Sequence, residues 1–293
     1  MNKVGIHYGF WSHNWNVDYD ALIEKVSRLG FDVLEVASAS FVNFSKERLK
    51  DLKKRADDHN ISFTYSVGLE KEYDLASDDE AVRRNGIEHV KRIFDTMPIV
   101  DAHIFNGVSY AGWQCMPTMG IDMDEKKRKE DIALASVKEL MKTAEDNNVI
   151  YCFEVVNRFE QYLMNTAEEG VAFAKRVDHP NAKVLLDTFH MNIEEDDMIT
   201  PIKQTGEYLG HFHIGENNRK TPGTGKLPWA EMIAALKEIH YEGAIVMEPF
   251  MLMGGEIAYD IKVWRDISRG ASEHDMDILA QNACKFIKDL LAK

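Results

Sequence analysis

The chain has 293 residues, 45% of them hydrophobic, and carries 35 Lys and Arg against 49 Asp and Glu, a formal net charge of -14. That length suits one large α/β barrel as well as two ordinary domains, and the negative balance repels phosphate backbones and anionic lipid, which sets nucleic acid aside as a partner. No window approaches the ~20 apolar residues of a membrane span, and the opening MNKVGIHYGFWSHNW has no long apolar run behind a basic start, so a cytoplasmic enzyme or binding protein is expected, with no membrane association.

Short runs rich in β-branched and aromatic residues predict strands at 4–11, 32–38, 62–68, 102–108, 149–156, 183–188, 210–215 and 244–249. Helical periodicity follows each of them, for example at 18–30, 45–60, 228–240 and in the terminal DMDILAQNACKFIKDLLAK. Strand then helix, about eight times over, predicts a (β/α)8 TIM barrel forming a single domain over 1–293. An open doubly wound sheet would carry a glycine-rich phosphate turn after an early strand, and none is visible. The longest irregular stretch is 250–274, between the last strand and the last helix, where long loops are usually functional or interfacial. Cys115, Cys152 and Cys284 stand far apart without CxxC spacing and read as reduced thiols, mostly core fillers.

Catalytic groups of such barrels sit at the C-terminal ends of the strands. From the fifth strand onward those ends carry Glu154 in YCFEVVN, Asp187 in VLLDTFH, His213 in HFHIGEN and Glu248 in VMEPF. Any one of these alone is more often an edge carboxylate or a satisfied core histidine. Three unpartnered carboxylates at one mouth cost several kcal/mol each unless a cation compensates them, so together they predict a metal site. Period-two alternation puts Cys152 with Glu154, Leu185 with Asp187 and Val246 with Glu248, but gives His211 and His213 the same face; His213 is preferred as nearer the strand end. Three carboxylates and one imidazole form a hard, oxygen-rich set for one divalent ion, with Mn2+, Co2+ or Mg2+ fitting better than a closed structural zinc site.

The stretches EVVNRFEQYLMNT (154–166), LLDTFHMNIEED (185–196), GHFHIGENNRKTPGTGKLPW (210–229), VMEPF (246–250) and DIKVWRDIS (260–268) resemble the ketose 3-epimerases, the family of D-tagatose 3-epimerase and D-psicose (D-allulose) 3-epimerase within the xylose-isomerase-like TIM barrels. The resemblance spans essentially the whole chain. It implies a Mn2+- or Co2+-dependent isomerase that inverts carbon 3 of free ketoses such as D-fructose and D-psicose, D-tagatose and D-sorbose, or ribulose and xylulose. It also implies Glu154, Asp187, His213 and Glu248 as metal ligands, Glu160, His190 and Arg219 as substrate-binding residues, Trp113 as an aromatic lining the pocket, and a homodimer or homotetramer.

The residues support that chemistry on their own terms. Inverting C3 of a 2-ketose removes a proton alpha to a carbonyl and returns one to the opposite face, which asks for two acid/base groups; Glu154 and Glu248, on strands well apart around the ring, are the natural catalytic pair. Arginine is usually a solvated surface cation, yet Arg219 six residues after His213 offers fixed donors to sugar hydroxyls. Trp113 and Phe250 could equally be plain packing, and only Trp113 is taken as a sugar contact. The acidic run Glu194 to Asp197 is expected to begin the next helix, where it suits the N-terminal dipole. One departure stands in the first strand: the family usually has Tyr or Phe where His7 stands beside the substrate, which bears on substrate preference, as does Ser66 in the third strand. An aldose-ketose isomerase would need bridging carboxylates for a second metal, a barrel endonuclease a basic groove, and a non-catalytic sugar binder would not need both glutamates.

Overall fold

The computed structural model describes residues 2–293. Eight parallel strands close in sequence order, β1 pairing with both β2 and β8. They are β1 (Val4–His7), β2 (Val33–Ala37), β3 (Ser62–Leu69), β4 (Ile104–Gly112), β5 (Ile150–Val155), β6 (Ala182–Asp187), β7 (Leu209–Ile214) and β8 (Ile245–Met247). The expected (β/α)8 barrel is the fold. Helices α1 (Tyr19–Arg28), α2 (Ser38–Phe41), α3 (Lys46–Asp58), α4 (Glu80–Thr96), α5 (Met123–Asp146), α6 (Ala167–Val177), α7 (Thr188–Glu194), α8 (Thr200–Thr205), α9 (Trp229–Glu238), α10 (Gly255–Asp260) and α11 (Glu273–Leu291) follow the strands in turn.

Local chemistry sets where these elements begin. Asp18, Ser45, Asp79, Asp122 and Thr166 each accept a backbone N–H of the helix that follows, and Ser272 forms a capping box with Asp275, satisfying donors that a helix start leaves free. The apolar faces so presented pack on the strands, with Phe94, Phe105, Tyr151, Phe153 and Phe173 meeting edge to face or tilted on the β4–β5 side.

Several boundaries differ from the expected ones. β1 stops at His7 rather than at residue 11, because the His7 side chain accepts from the Gly9 N–H and turns Tyr8–Trp11 into a 3-10 helix. β4 runs on to Gly112, held to β3 through a register shift at Gly68 and Leu69. The acidic run does not open the next helix. Glu194 closes α7 and pairs with Arg158 at 2.6 Å, Glu195 accepts from the Ala167 N–H at the start of α6, and only Asp197 caps the backbone at Ile199 and Thr200 ahead of α8. His190 lies inside α7.

The stretch 250–274 is not irregular throughout, since it contains α10. It returns over the C-terminal mouth of the barrel: Asp260 accepts from the Trp15 indole at 2.7 Å, and Ile257 donates its N–H to His13. At Gly255, φ is +78° and an added Cβ would stand 2.3 Å from the His13 carbonyl oxygen, so this approach of two loops requires glycine. No helix among the described residues is long and apolar enough to cross a membrane.

Candidate active site and cation site

The four strand-end residues converge. Glu154 lies in β5, Asp187 ends β6, His213 lies in β7 and Glu248 follows β8, with Asp187 in register with His213, and His213 with Val246. One ligand atom from each falls within 4.8 Å of all the others. Of the two β7 histidines it is His213 that faces the three carboxylates: its Nδ1 is 3.7 Å from Glu154 Oε1, 4.0 Å from Asp187 Oδ2 and 3.8 Å from Glu248 Oε2. These separations exceed hydrogen-bond length but leave room for an ion among the donors. Asp187 divides its labour: Oδ1 caps α7 by accepting from the Phe189 and His190 N–H groups, and Oδ2 faces the cluster.

Electrostatics test whether these residues fit a cation. Burial pushes the Glu248 carboxyl well above the usual carboxylate range, and the neighbouring Glu154 and Asp187 charges add to the effect against the pull of His213. Burial disfavours a charged His213, yet Glu35, Glu248 and Glu154 together hold its proton well above the ordinary histidine range. Protons thus compensate the carboxylates where a divalent ion would do so better. The donor set fits such an ion, which displaces protons from its ligands on binding.

A second group of residues walls one side of this cluster. His190 Nδ1 accepts from the Asn157 backbone N–H at 3.2 Å and lies 2.8 Å from its side-chain amide, while Nε2 stands 3.2 Å from Arg219 Nη2 and 3.7 Å from Glu154 Oε1. Glu160 accepts from the Trp113 indole at 3.2 Å and from Arg219 Nη2 at 3.0 Å. Burial raises the Glu160 carboxyl, but Arg219 and His190 outweigh it and leave the group below its ordinary value. Arg219 is 5% exposed, stacked 4.3 Å from the Phe189 ring and 5.3 Å from Phe250, with Nε and Nη1 lacking any partner among the described residues. Its φ of +59° is unusual for a non-glycine residue and is fixed by its own N–H on the Glu216 carbonyl and by the Phe250 N–H on its carbonyl.

His7 completes the opposite wall. Its Nδ1 accepts from Gly9, so the ring proton sits on Nε2, 3.9 Å from Glu248 Oε1. Burial lowers its pKa to about 3, and the imidazole is neutral. A cavity of about 780 Å3 opens above all these groups, and Ser66 and Phe250 line it as well. Sequence reasoning missed Trp15, which meets Trp113 edge on at 6.4 Å, and Asn157, which orients His190. Neither carries a charge that could mark it, and Trp15 comes from the loop after β1, across the mouth from Trp113.

These features define a barrel with an acidic cluster able to hold a metal ion at its C-terminal mouth, beside a polar and aromatic cavity. Residues 23–267 match the profile of the family described as "Xylose isomerase-like TIM barrel". The chain is 45% identical to a D-psicose 3-epimerase of Ruminiclostridium cellulolyticum over 99% of this chain and 98% of that one. It is 42% identical to a D-psicose 3-epimerase of Agrobacterium fabrum over 99% of each, and 33% identical to an L-ribulose 3-epimerase of a Methylomonas species over 98% and 96%. Among solved structures, a D-psicose 3-epimerase with D-tagatose from Clostridium cellulolyticum superposes with a TM-score of 0.95 at 45% identity, covering 99% of both chains. The chain belongs to the xylose-isomerase-like TIM barrels and, within them, to the ketose 3-epimerases.

Proposed function

We propose that this protein is a metal-dependent ketose 3-epimerase acting on free ketoses, with the D-fructose and D-psicose pair foremost and D-tagatose and D-sorbose or the ribulose and xylulose pair in the same class. The observation that carries this reading is the pair Glu154 and Glu248 with ligand atoms inside one 4.8 Å cluster at the floor of the cavity. The strong likeness to D-psicose 3-epimerases along the full chain supports the choice of carbon 3.

Glu154, Asp187, His213 and Glu248 would hold one divalent ion, Mn2+ or Co2+ first and Mg2+ next, as an oxygen-rich set with one imidazole suggests. When bound, the ion supplies Lewis-acid polarisation of the substrate's C2 carbonyl. The carboxylate on one face of the sugar takes the proton from C3, and the C3–H electron pair moves into an enediolate. The protonated carboxylate on the other face then returns a proton to C3. For the opposite epimer the two glutamates exchange roles, and proton exchange with water resets the pair between turnovers. Each positioned carboxylate contributes ~10² to 10⁴ in rate.

The surrounding residues bind and orient. The free Nε and Nη1 of Arg219 donate to sugar oxygens, and its two aromatic neighbours keep the guanidinium in plane. His190 presents Nε2 between Glu154 and Arg219, and Glu160, fixed by Trp113 and Arg219, accepts from substrate hydroxyls. Trp113 offers a face to sugar C–H groups, and His7 presents a donor where the family usually has an aromatic ring.

Residues 1–293 act as one domain in this reading, in a cytoplasmic protein whose three cysteines are free thiols. A homodimer or homotetramer is supported by the exposure of Phe159 after β5 and of Tyr259 and Trp264 in and beyond α10. Chelator-stripped protein assayed on D-psicose before and after Mn2+ addition tests the proposal. Metal-dependent formation of D-fructose is expected; no conversion of any of these ketoses by the metal-loaded protein would refute it.

A further inference from the structure

Below the cation site lies a second polar layer that the proposed chemistry does not use. Glu35 from β2, Thr64 from β3, Asn106 from β4 and His211 from β7 meet there, all buried. Glu35 Oε2 accepts from Thr64 Oγ1 at 2.9 Å, Asn106 Nδ2 at 2.7 Å and His211 Nε2 at 2.9 Å. Its other oxygen, Oε1, is turned toward His213 and stands 2.7 Å from Nε2. That contact is close but off the line of a hydrogen bond, and neither atom has another partner among the described residues.

The His213 ring therefore spans the two layers, Nε2 on Glu35 below and Nδ1 among Glu154, Asp187 and Glu248 above. A neutral imidazole carries one ring proton, and which nitrogen holds it is set by the partner of the other. With the proton on Nε2 facing Glu35, the Nδ1 lone pair is left for the cation. We propose that Glu35 is a positioning residue of the cation site, fixing the tautomer and tilt of His213 so that Nδ1 is presented as a ligand. The inference rests on the reading of Glu154, Asp187, His213 and Glu248 as that site. Carboxylates behind metal-binding histidines act in this way in general.

The bland alternative is that Glu35 only satisfies a polar core made by Thr64, Asn106 and His211. Metal affinity separates the two. Chelator-stripped wild type, Glu35→Gln and Thr64→Val are titrated calorimetrically with Mn2+ and with Co2+, and the melting temperature of each metal-free protein is recorded. Glu35→Gln is expected to weaken both metals by roughly 10- to 100-fold. Thr64→Val removes a partner of Glu35 without touching His213, and is expected to lower the metal-free melting temperature while leaving metal affinity unchanged.

Wild-type affinity in Glu35→Gln, or an equal loss of affinity in Thr64→Val, would overturn the proposal. Should Glu35→Gln fail to fold, Glu35→Asp keeps the charge and shortens the reach, and the same outcomes decide: weakened metal binding supports the role and unchanged binding overturns it. Failure of the underlying cation-site reading is distinguishable, because His213→Ala would then bind both metals as wild type does.

Discussion

Glu35 and Glu248 stand one layer apart inside the same barrel, and their surroundings are opposite. The Glu35 carboxylate has Thr64, Asn106 and His211 donating to one oxygen and His213 against the other. Burial alone would raise its pKa, but His213 and His211 reverse the effect and hold it well below the usual range. Around Glu248 the nearest imidazole nitrogens are 3.8 and 3.9 Å away, two further carboxylates crowd it, and its pKa is driven up. Burial is common to both and decides neither. What separates the two carboxylates is whether the fold supplies donors: it does for Glu35, and it leaves Glu248 among like charges.

Substitutions and metal removal probe that contrast, in falling order of effect. Glu154→Gln or Glu248→Gln in the upper layer should each lower kcat by ~10² to 10⁴ with the circular dichroism spectrum unchanged. Near-normal turnover in either variant would remove that residue from the catalytic pair. Arg219→Lys keeps the charge but loses the planar fork and the stacking on Phe189 and Phe250. Steady-state kinetics should show kcat/KM falling by roughly 10- to 100-fold, mostly through KM, as expected for a hydrogen bond from a charged group.

Metal removal should cost stability because the ion binds only the folded chain. Adding it back at about 100 times its Kd contributes about 2.7 kcal/mol, which for a domain of this size raises Tm by roughly 5 to 10 °C in a thermal scan. The smallest change lies outside both layers. His89 stacks on Tyr73 at 3.9 Å, and burial, with Arg92 nearby, lowers its pKa to about 4. Its folded pKa lies below the unfolded value, so the unfolded state takes up the proton first as pH falls. The stability it contributes is complete above about 6.5 and is lost between there and about 4. His89→Phe keeps the stack without the proton, and its Tm should fall less than that of the parent over that window.

The upper layer was legible in the sequence because its members end strands. VLLDTFH and VMEPF interrupt apolar runs with a carboxylate at a position where the barrel opens, and four such interruptions in succession exclude chance edge residues. The same signal was present in DVLEVAS, where Glu35 interrupts a fully buried strand. It went unread because its partners come from β3, β4 and β7, and no local pattern reports a donor brought across a barrel. The choice between His211 and His213 had the same character: both face inward, and only height along the axis decides which meets the carboxylates. The acidic run after Asp187 was misread because Glu194 and Glu195 find Arg158 and the start of α6, contacts set by tertiary packing rather than by the helix that follows.

The most direct test of the central claim is NMR of D-fructose and D-psicose in D2O with stripped protein, before and after Mn2+ is added. Metal-dependent deuterium at C3 together with the C3 epimer is the expected result. Deuterium at C1 or C2 with an aldose product would contradict it, because the two glutamates would then flank the wrong carbon.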